Sequence, residues 1–147
     1  MLKTIVSTVA AVVILILMPA MKAGPAYAAG APSPENAQVY FIWPGNGTVI
    51  HGGKFWVRMG LRNMGVSPKG VDIPHVGHHH LLIDTELPPF DQPIPSDRNH
   101  LHFGAGETEA RIELPSGKHT LQLLLGDRDH LPHNPPVYSE KITVIVP

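Results

Sequence analysis

Two short histidine motifs dominate the chemistry that this chain offers. GHHHLLID (residues 77–84) contains three consecutive histidines, and NHLHFG (residues 99–104) follows with a His-x-His pair. The 147 residues include ten histidines and no cysteine. Neutral imidazoles bind copper and zinc, whereas blue-copper centres and cysteine-based zinc sites need thiolates. The motifs therefore indicate either an imidazole-ligated copper or zinc ion or a structural network of polar side chains.

The spacing of these histidines favours a metal site if both motifs lie on β-strands. Side chains alternate along a strand, so His100 and His102 share one face, with their bases roughly 6.5 Å apart. The same alternation groups His78 with His80 and directs His79 to the opposite face. Imidazoles at this separation can converge on an ion bonded at about 2.0 Å. We therefore expect His78 or His80 to combine with His100 and His102.

Two further histidines lie in the loop GDRDHLPHNPP (residues 126–136), where prolines restrict the chain. From this loop they could close a site from above. The candidate metal ligands are His78, His80, His100, His102, His130 and His133. His119 opens a predicted strand, where it can instead cap a hairpin. If imidazoles bind the ion, metal binding should weaken below about pH 6 as they become protonated.

A second hypothesis assigns the histidines to a polar network inside a non-enzymatic module that recognises an envelope protein or a glycan. That module would fold without metal, and protonation of its histidines could make it respond to pH. An enzyme is disfavoured by the residues present. The chain has no cysteine nucleophile, no GxSxG motif and no glycine-rich phosphate loop between a strand and a helix. We therefore expect no catalytic activity.

The elements that would position the histidines are strands. Alternating or β-branched segments separated by glycine and proline turns predict about seven of them, without a convincing helix. Such a pattern is typical of an immunoglobulin-like, two-sheet β-sandwich. The proline-rich segment 85–99 is predicted to be an ordered loop. The predicted strands cover residues 38–43, 54–61, 79–84, 100–103, 108–114, 119–127 and 137–146.

The amino terminus reads as an export signal. We predict a signal peptide over 1–28 from a short basic start, an apolar run of about 18 residues and Ala-Tyr-Ala at residues 26–28. The alternative is a retained membrane anchor, because the apolar run is near the lower limit of length for spanning a membrane. Residues 29–37 are predicted to be a flexible arm and residues 38–147 the histidine-rich domain. We expect a periplasmic or secreted protein that leaves the membrane after cleavage.

Charge excludes one class of partner. After residue 28 the chain carries nine Lys and Arg against twelve Asp and Glu, a net charge of −3. This balance argues against a nucleic-acid partner, and no basic run suggests a membrane surface. The expected partners are a metal ion and an envelope protein.

Long segments of the chain also resemble a known family. GHHHLLIDTELPP and PIPSDRNHLHFGAGETEARIELPSGKHTLQLLLGDRDHLPHNPPVYSEKI are similar to the exported bacterial domains catalogued as domain of unknown function 4399. The resemblance covers about residues 38–146 and implies a single exported domain, with no function assigned to the family. The histidines that match its motifs are His78, His79, His80, His100, His102, His119, His130 and His133.

Overall fold

A computed structural model describes residues 30–147, which form β-strands and loops without a helix. The predicted signal peptide lies outside the described residues. Residues 30–147 contain nine strands, of which β2 and β4 have two residues each. They are β1 (Gln38–Trp43), β2 (Thr48–Val49), β3 (Lys54–Arg62), β4 (Gly65–Val66), β5 (Val76–Ile83), β6 (His100–His102), β7 (Glu109–Glu113), β8 (Gly117–Gly126) and β9 (Ile142–Val146).

These strands form two sheets. The smaller sheet has the order β1-β3-β7, and the larger has the order β2-β9-β8-β5-β4, with β6 also paired to β5. In the lettering of immunoglobulin domains, β1-β3-β7 corresponds to A-B-E and β5-β8-β9 to C-F-G. The predicted all-β, two-sheet sandwich is therefore confirmed.

The hydrophobic core lies between the two sheets, as the alternation along β3 requires. Phe55, Val57 and Met59 of β3 are buried, whereas Lys54, Trp56 and Arg58 are exposed. The larger sheet supplies the opposite wall through alternate leucines of β8. Burial of these apolar side chains is the main favourable term that holds the sheets together.

The central strand β5 is covered on both of its faces. Leu81 and Ile83 point into the core between the sheets. On the other face, Leu82 packs with Leu124 of β8 and with Ile94 of the proline-rich loop. Residues 85–99 contain no strand, as predicted, and lie over the outer face of the larger sheet. Because β5 has no solvent-facing side, all three of its histidines are buried.

Residues 30–37, predicted as part of a flexible arm, are instead bound to the loop after β8. The Ala31 amide donates to Asp127 Oδ2 at 2.9 Å, and the Ser33 hydroxyl donates to the Pro135 carbonyl at 2.6 Å. Gly30 lies so close to Pro132 that a Cβ atom would collide with its carbonyl. These contacts satisfy backbone groups on both segments, which is why the arm adopts one path.

The end of the chain also differs from the prediction. The closing strand was expected over 137–146, but β9 begins at Ile142. The residues before it still bond to β8, since Leu125 N donates to Val137 O and Ser139 N to Leu123 O, each at 2.9 Å. The pairing stops at residues 140–141 and resumes further along β8. Alternation of residue types cannot reveal such an interruption, because the side chains on either side remain suited to a strand.

Within the described part of the chain, no helix is long and apolar enough to cross a membrane.

Replacing Asp127 by Ala should loosen the loop that carries His130 and His133. Asp127 is buried and accepts hydrogen bonds from three backbone amides, those of Ala31, Asp129 and Leu131, each at 2.9 Å. Their loss should lower the free energy of unfolding by about 1–3 kcal/mol, measured by urea denaturation.

Asp129→Ala is the matched control for this experiment, because Asp129 is exposed and pairs with Arg128 at the surface. Exposed ion pairs contribute little, so the control should change stability by less than about 1 kcal/mol. Equal effects of the two substitutions would contradict the anchoring role of Asp127.

Candidate metal centre

Three histidines of β5 and β6 come together on the outer face of the larger sheet. His80 lies directly opposite His102 in the antiparallel pairing of these strands. His78 lies two residues before His80, so the pleat directs both side chains to this face. One nitrogen from each of His78, His80 and His102 lies within 4.8 Å of the others. This geometry suits a metal ion at the centre of the group.

His130 joins these three residues from the loop after β8. Its Nε2 atom lies 2.9 Å from Nε2 of His102, a hydrogen bond in which one imidazole donates. Its ring centroid lies 5.1 Å from that of His78 and 6.0 Å from that of His80. Hydrogen bonds from His130 N to Asp127 O and from Ile94 N to His130 O hold the backbone here. We call His78, His80, His102 and His130 the histidine cluster.

The deepest imidazoles of the cluster lack hydrogen-bond partners. His78 and His80 are 0 % exposed, and neither ring nitrogen of either residue has a partner among residues 30–147. A buried polar atom without a partner costs about 1–3 kcal/mol, and most buried polar atoms in proteins are paired. Each neutral imidazole has one N–H group and one nitrogen lone pair, so a metal ion could bind one nitrogen of each residue.

Burial also keeps these imidazoles neutral. Desolvation, followed by the charges of His102 and His130, lowers the pKa of His78 to about 4. Desolvation and the neighbouring histidines lower the pKa of His80 to about 2, and burial lowers that of His102 as well. Neutral imidazole is the form that binds metal. Protons should therefore displace a metal only well below the pH of about 6 expected for ordinary histidines.

Two glycines make room for the cluster. A Cβ atom on Gly104 would collide with the His102 ring, and one on Gly126 would lie 2.9 Å from His80 Nε2. Gly126 is also the residue of β8 that pairs with His78. A side chain at either position would displace an imidazole. These contacts join segments that are distant in sequence, so residue types alone do not predict them.

The remaining predicted ligands make other contacts. His100 Nδ1 lies 2.9 Å from Asp97 Oδ1, and this exposed carboxylate also accepts the His100 amide hydrogen bond. Both ring nitrogens of His133 face backbone carbonyls, those of Val76 at 3.1 Å and Leu125 at 3.4 Å. Neither residue belongs to the histidine cluster, which contains four of the six predicted ligands. The nitrogens of three of these, His78, His80 and His102, lie within 4.8 Å of one another.

His79 and His119 lie outside the histidine cluster and contact other groups of the fold. His79 points to the other face of β5, where Nδ1 lies 3.2 Å from the Glu107 carbonyl and Nε2 is buried without a partner among the described residues. His119 Nδ1 lies 2.6 Å from Asp84 Oδ2, and its Nε2 lies 3.0 Å from Pro115 O. This pairing raises the pKa of His119 and ties the start of β8 to the end of β5. It does not cap a hairpin, because the consecutive strands β7 and β8 lie in different sheets.

The fold and the cluster define a β-sandwich domain whose histidines could hold a metal ion. A family model described as domain of unknown function (DUF4399) matches residues 57–147, so the chain belongs to this family. The match begins within β3 and includes every residue of the histidine cluster. No curated protein and no solved structure matches the chain.

Replacing His80 by Leu should stabilise the metal-free protein at pH 7, because the substitution removes two buried nitrogens that lack partners. We expect a gain of at least about 1 kcal/mol in the free energy of unfolding, since each unpaired nitrogen costs about 1–3 kcal/mol, measured by urea denaturation with a chelator present. A loss of stability of similar size would show that these nitrogens make favourable interactions in the metal-free protein.

The unfolding of the metal-free protein should also depend on pH. The unfolded chain protonates His78 and His80 near pH 6.5, whereas the folded chain binds these protons only near pH 4 and pH 2. Stability should therefore fall as the pH is lowered from 6.5 to 4, by up to about 1.4 kcal/mol per pH unit for each residue. The His80→Leu variant lacks the contribution of His80, so its stability should depend less steeply on pH than that of the wild type.

The comparison between wild type and His80→Leu isolates the effect of His80, because carboxylates and His119 titrate in both proteins. The raised pKa of His119 affects the free energy of unfolding in the opposite direction. Its contribution to stability is complete below pH 6.5 and is lost at higher pH. Parallel pH profiles for the two proteins would contradict the buried, neutral state of His80.

Proposed function

We propose that this protein binds one transition-metal ion through His78, His80 and His102. The observation that carries the proposal is the burial of four unpartnered nitrogens of His78 and His80 beside the third imidazole. Such an arrangement lowers the stability of a metal-free protein, whereas a bound ion would use the lone pairs directly. The metal-free protein is therefore less stable because of the same three imidazoles that are already oriented toward a common centre.

His130 supplies the fourth ligand in this proposal. Ligand nitrogens at about 2.0–2.1 Å from a tetrahedral ion lie about 3.3 Å from one another. The 2.9 Å separation between His130 and His102 is close to this value. A small rotation of the His130 ring toward the cluster would replace the hydrogen bond with coordination by both residues.

Copper and zinc are the metals that this ligand set favours. Imidazole nitrogen suits both ions, and no thiolate can contribute because the chain lacks cysteine. Of the two methionines that could soften a copper(I) site, Met59 lies in the core between the sheets and Met64 packs against that core. We therefore propose zinc or copper(II) as the bound ion.

The proposed role is metal storage or delivery outside the cytoplasm, without catalysis. The predicted signal peptide supports export to the periplasm or beyond. Four imidazoles around a tetrahedral zinc ion would leave no open position for substrate, which supports a non-enzymatic role. An envelope protein that donates or receives the ion is the partner this role implies.

The alternative, a polar network in a protein- or glycan-recognition module, has less support from the geometry. Histidines in a stabilising network should bond to carbonyls, hydroxyls or carboxylates. His133 and His119 do so, but His78 and His80 do not. A recognition module also gives no reason to concentrate unpartnered imidazoles beneath a loop.

Titration of the predicted mature chain, residues 29–147, with zinc and copper(II) tests the proposal. We expect one equivalent to bind tightly at neutral pH, measured by isothermal calorimetry against a competing chelator. His102→Ala should weaken binding by about 100-fold or more, because loss of a ligand should exceed the 10–100-fold effect of residues outside the coordination sphere. His51→Ala, at an exposed position, is the control and should leave affinity unchanged.

A second variant retains every histidine. Gly104→Ala should displace the His102 ring and weaken metal binding, whereas Gly45→Ala should not, since the nearest atom to its new Cβ lies 3.9 Å away. Weak binding that is the same in wild type, His102→Ala and Gly104→Ala would refute the proposed site.

A further inference from the structure

A separate cavity of about 620 Å³ opens where edge strands of the two sheets approach each other. Strand β6 lies at an edge of the larger sheet and β7 at an edge of the smaller one. Leu101 of β6 lines the cavity from the face opposite His100 and His102. The cavity is therefore distinct from the histidine cluster.

The inner wall of the cavity is apolar. Ile83, Ile112 and Leu114 are buried side chains of the core, and Leu101 is partly exposed at the opening. Cavities of roughly 300–1,000 Å³ with apolar walls and a few polar groups are typical of sites for small molecules. The walls can accept an apolar chain or ring without leaving polar groups unpaired.

The charged residues that line the cavity are two carboxylates that have partners and two arginines. Glu113 is paired with Lys54 at 3.2 Å, and Asp84 is paired with His119. Arg98 and Arg111 also line the cavity, and within residues 30–147 neither forms an ion pair with a carboxylate. Two arginines without an acidic partner in this part of the chain, beside an apolar wall, favour a ligand with an anionic end.

His119 also lines this cavity beside Asp84, but the pair is unsuited to base catalysis. Both of its ring nitrogens already face acceptors, the carboxylate of Asp84 and the carbonyl of Pro115. The imidazole therefore has no free lone pair that could accept a proton from a substrate. This arrangement favours binding over reaction.

We propose that the cavity binds a small amphiphilic carboxylate, with its apolar chain against Ile112 and Leu114 and its carboxylate at Arg98 and Arg111. This site does not depend on the metal site. Its ligand would be a free monocarboxylic acid of medium chain length, a size that the cavity can enclose.

Calorimetric titration of the protein, expressed from its full sequence, with decanoate below its micellar concentration tests this site. A chelator keeps the histidine cluster free of metal. We expect saturable binding of one equivalent, and at least about tenfold weaker binding in the Arg98→Gln, Arg111→Gln double variant. Decanol, which lacks the charge, should also bind at least about tenfold more weakly than decanoate.

The matched control is the Arg58→Gln, Arg62→Gln double variant. It removes two arginines of β3 and changes the net charge by the same amount. It should bind decanoate like wild type. A Leu101→Phe variant, which reduces the cavity volume, should weaken binding while both arginines remain. Absence of saturable binding, equal affinity for decanol, or equal losses in the two double variants would overturn the proposal.

Discussion

Desolvation of two imidazoles on the outer face of β5 is the constraint on which the rest of this structure depends. A strand buried on both faces ordinarily carries apolar side chains, as β5 does at Leu81 and Leu82. His78 and His80 occupy equivalent positions with no hydrogen-bond partner in the described chain. Each unpaired nitrogen opposes folding by about 1–3 kcal/mol. The apolar core between the sheets must offset this cost in the metal-free protein.

The surrounding elements maintain that desolvation. The proline-rich loop places Ile94 over the sheet, and Gly104 and Gly126 leave space for the His102 and His80 rings. Residues 30–37 bind the loop that carries His130 through hydrogen bonds with Asp127, Asn134 and Pro135. Orientation of the cluster therefore depends on backbone contacts distant in sequence. A side chain that needs to move little on binding loses little conformational freedom, which favours affinity.

Much of this arrangement was predictable from the sequence, because strand alternation is a strict rule. Alternation grouped His78 with His80, separated them from His79 and placed His100 and His102 on one face. It could not show that β6 pairs with β5 so that His102, rather than His100, lies opposite His80. Register depends on contacts between distant segments, which residue spacing does not contain.

Other features were hidden for different physical reasons. His130 and His133 lie three residues apart in one loop, yet the first faces the cluster and the second faces backbone carbonyls. Loop side chains follow no fixed period, so their directions depend on the detailed path of the backbone. The small and polar residues of the segment 29–37 predict a flexible arm. In the structure, backbone amides of residues 30–37 donate hydrogen bonds to the loop after β8. Hydrogen bonding of the backbone is largely independent of side-chain type.

The most direct measurement is a crystal structure of the zinc-loaded protein, with anomalous diffraction recorded on both sides of the zinc absorption edge. The account predicts one strong anomalous peak about 2.0–2.1 Å from a nitrogen of each of His78, His80 and His102. A His130 nitrogen should lie at the same distance as the fourth ligand. Peaks confined to exposed histidines such as His51 and His75, with none inside the cluster, would contradict it.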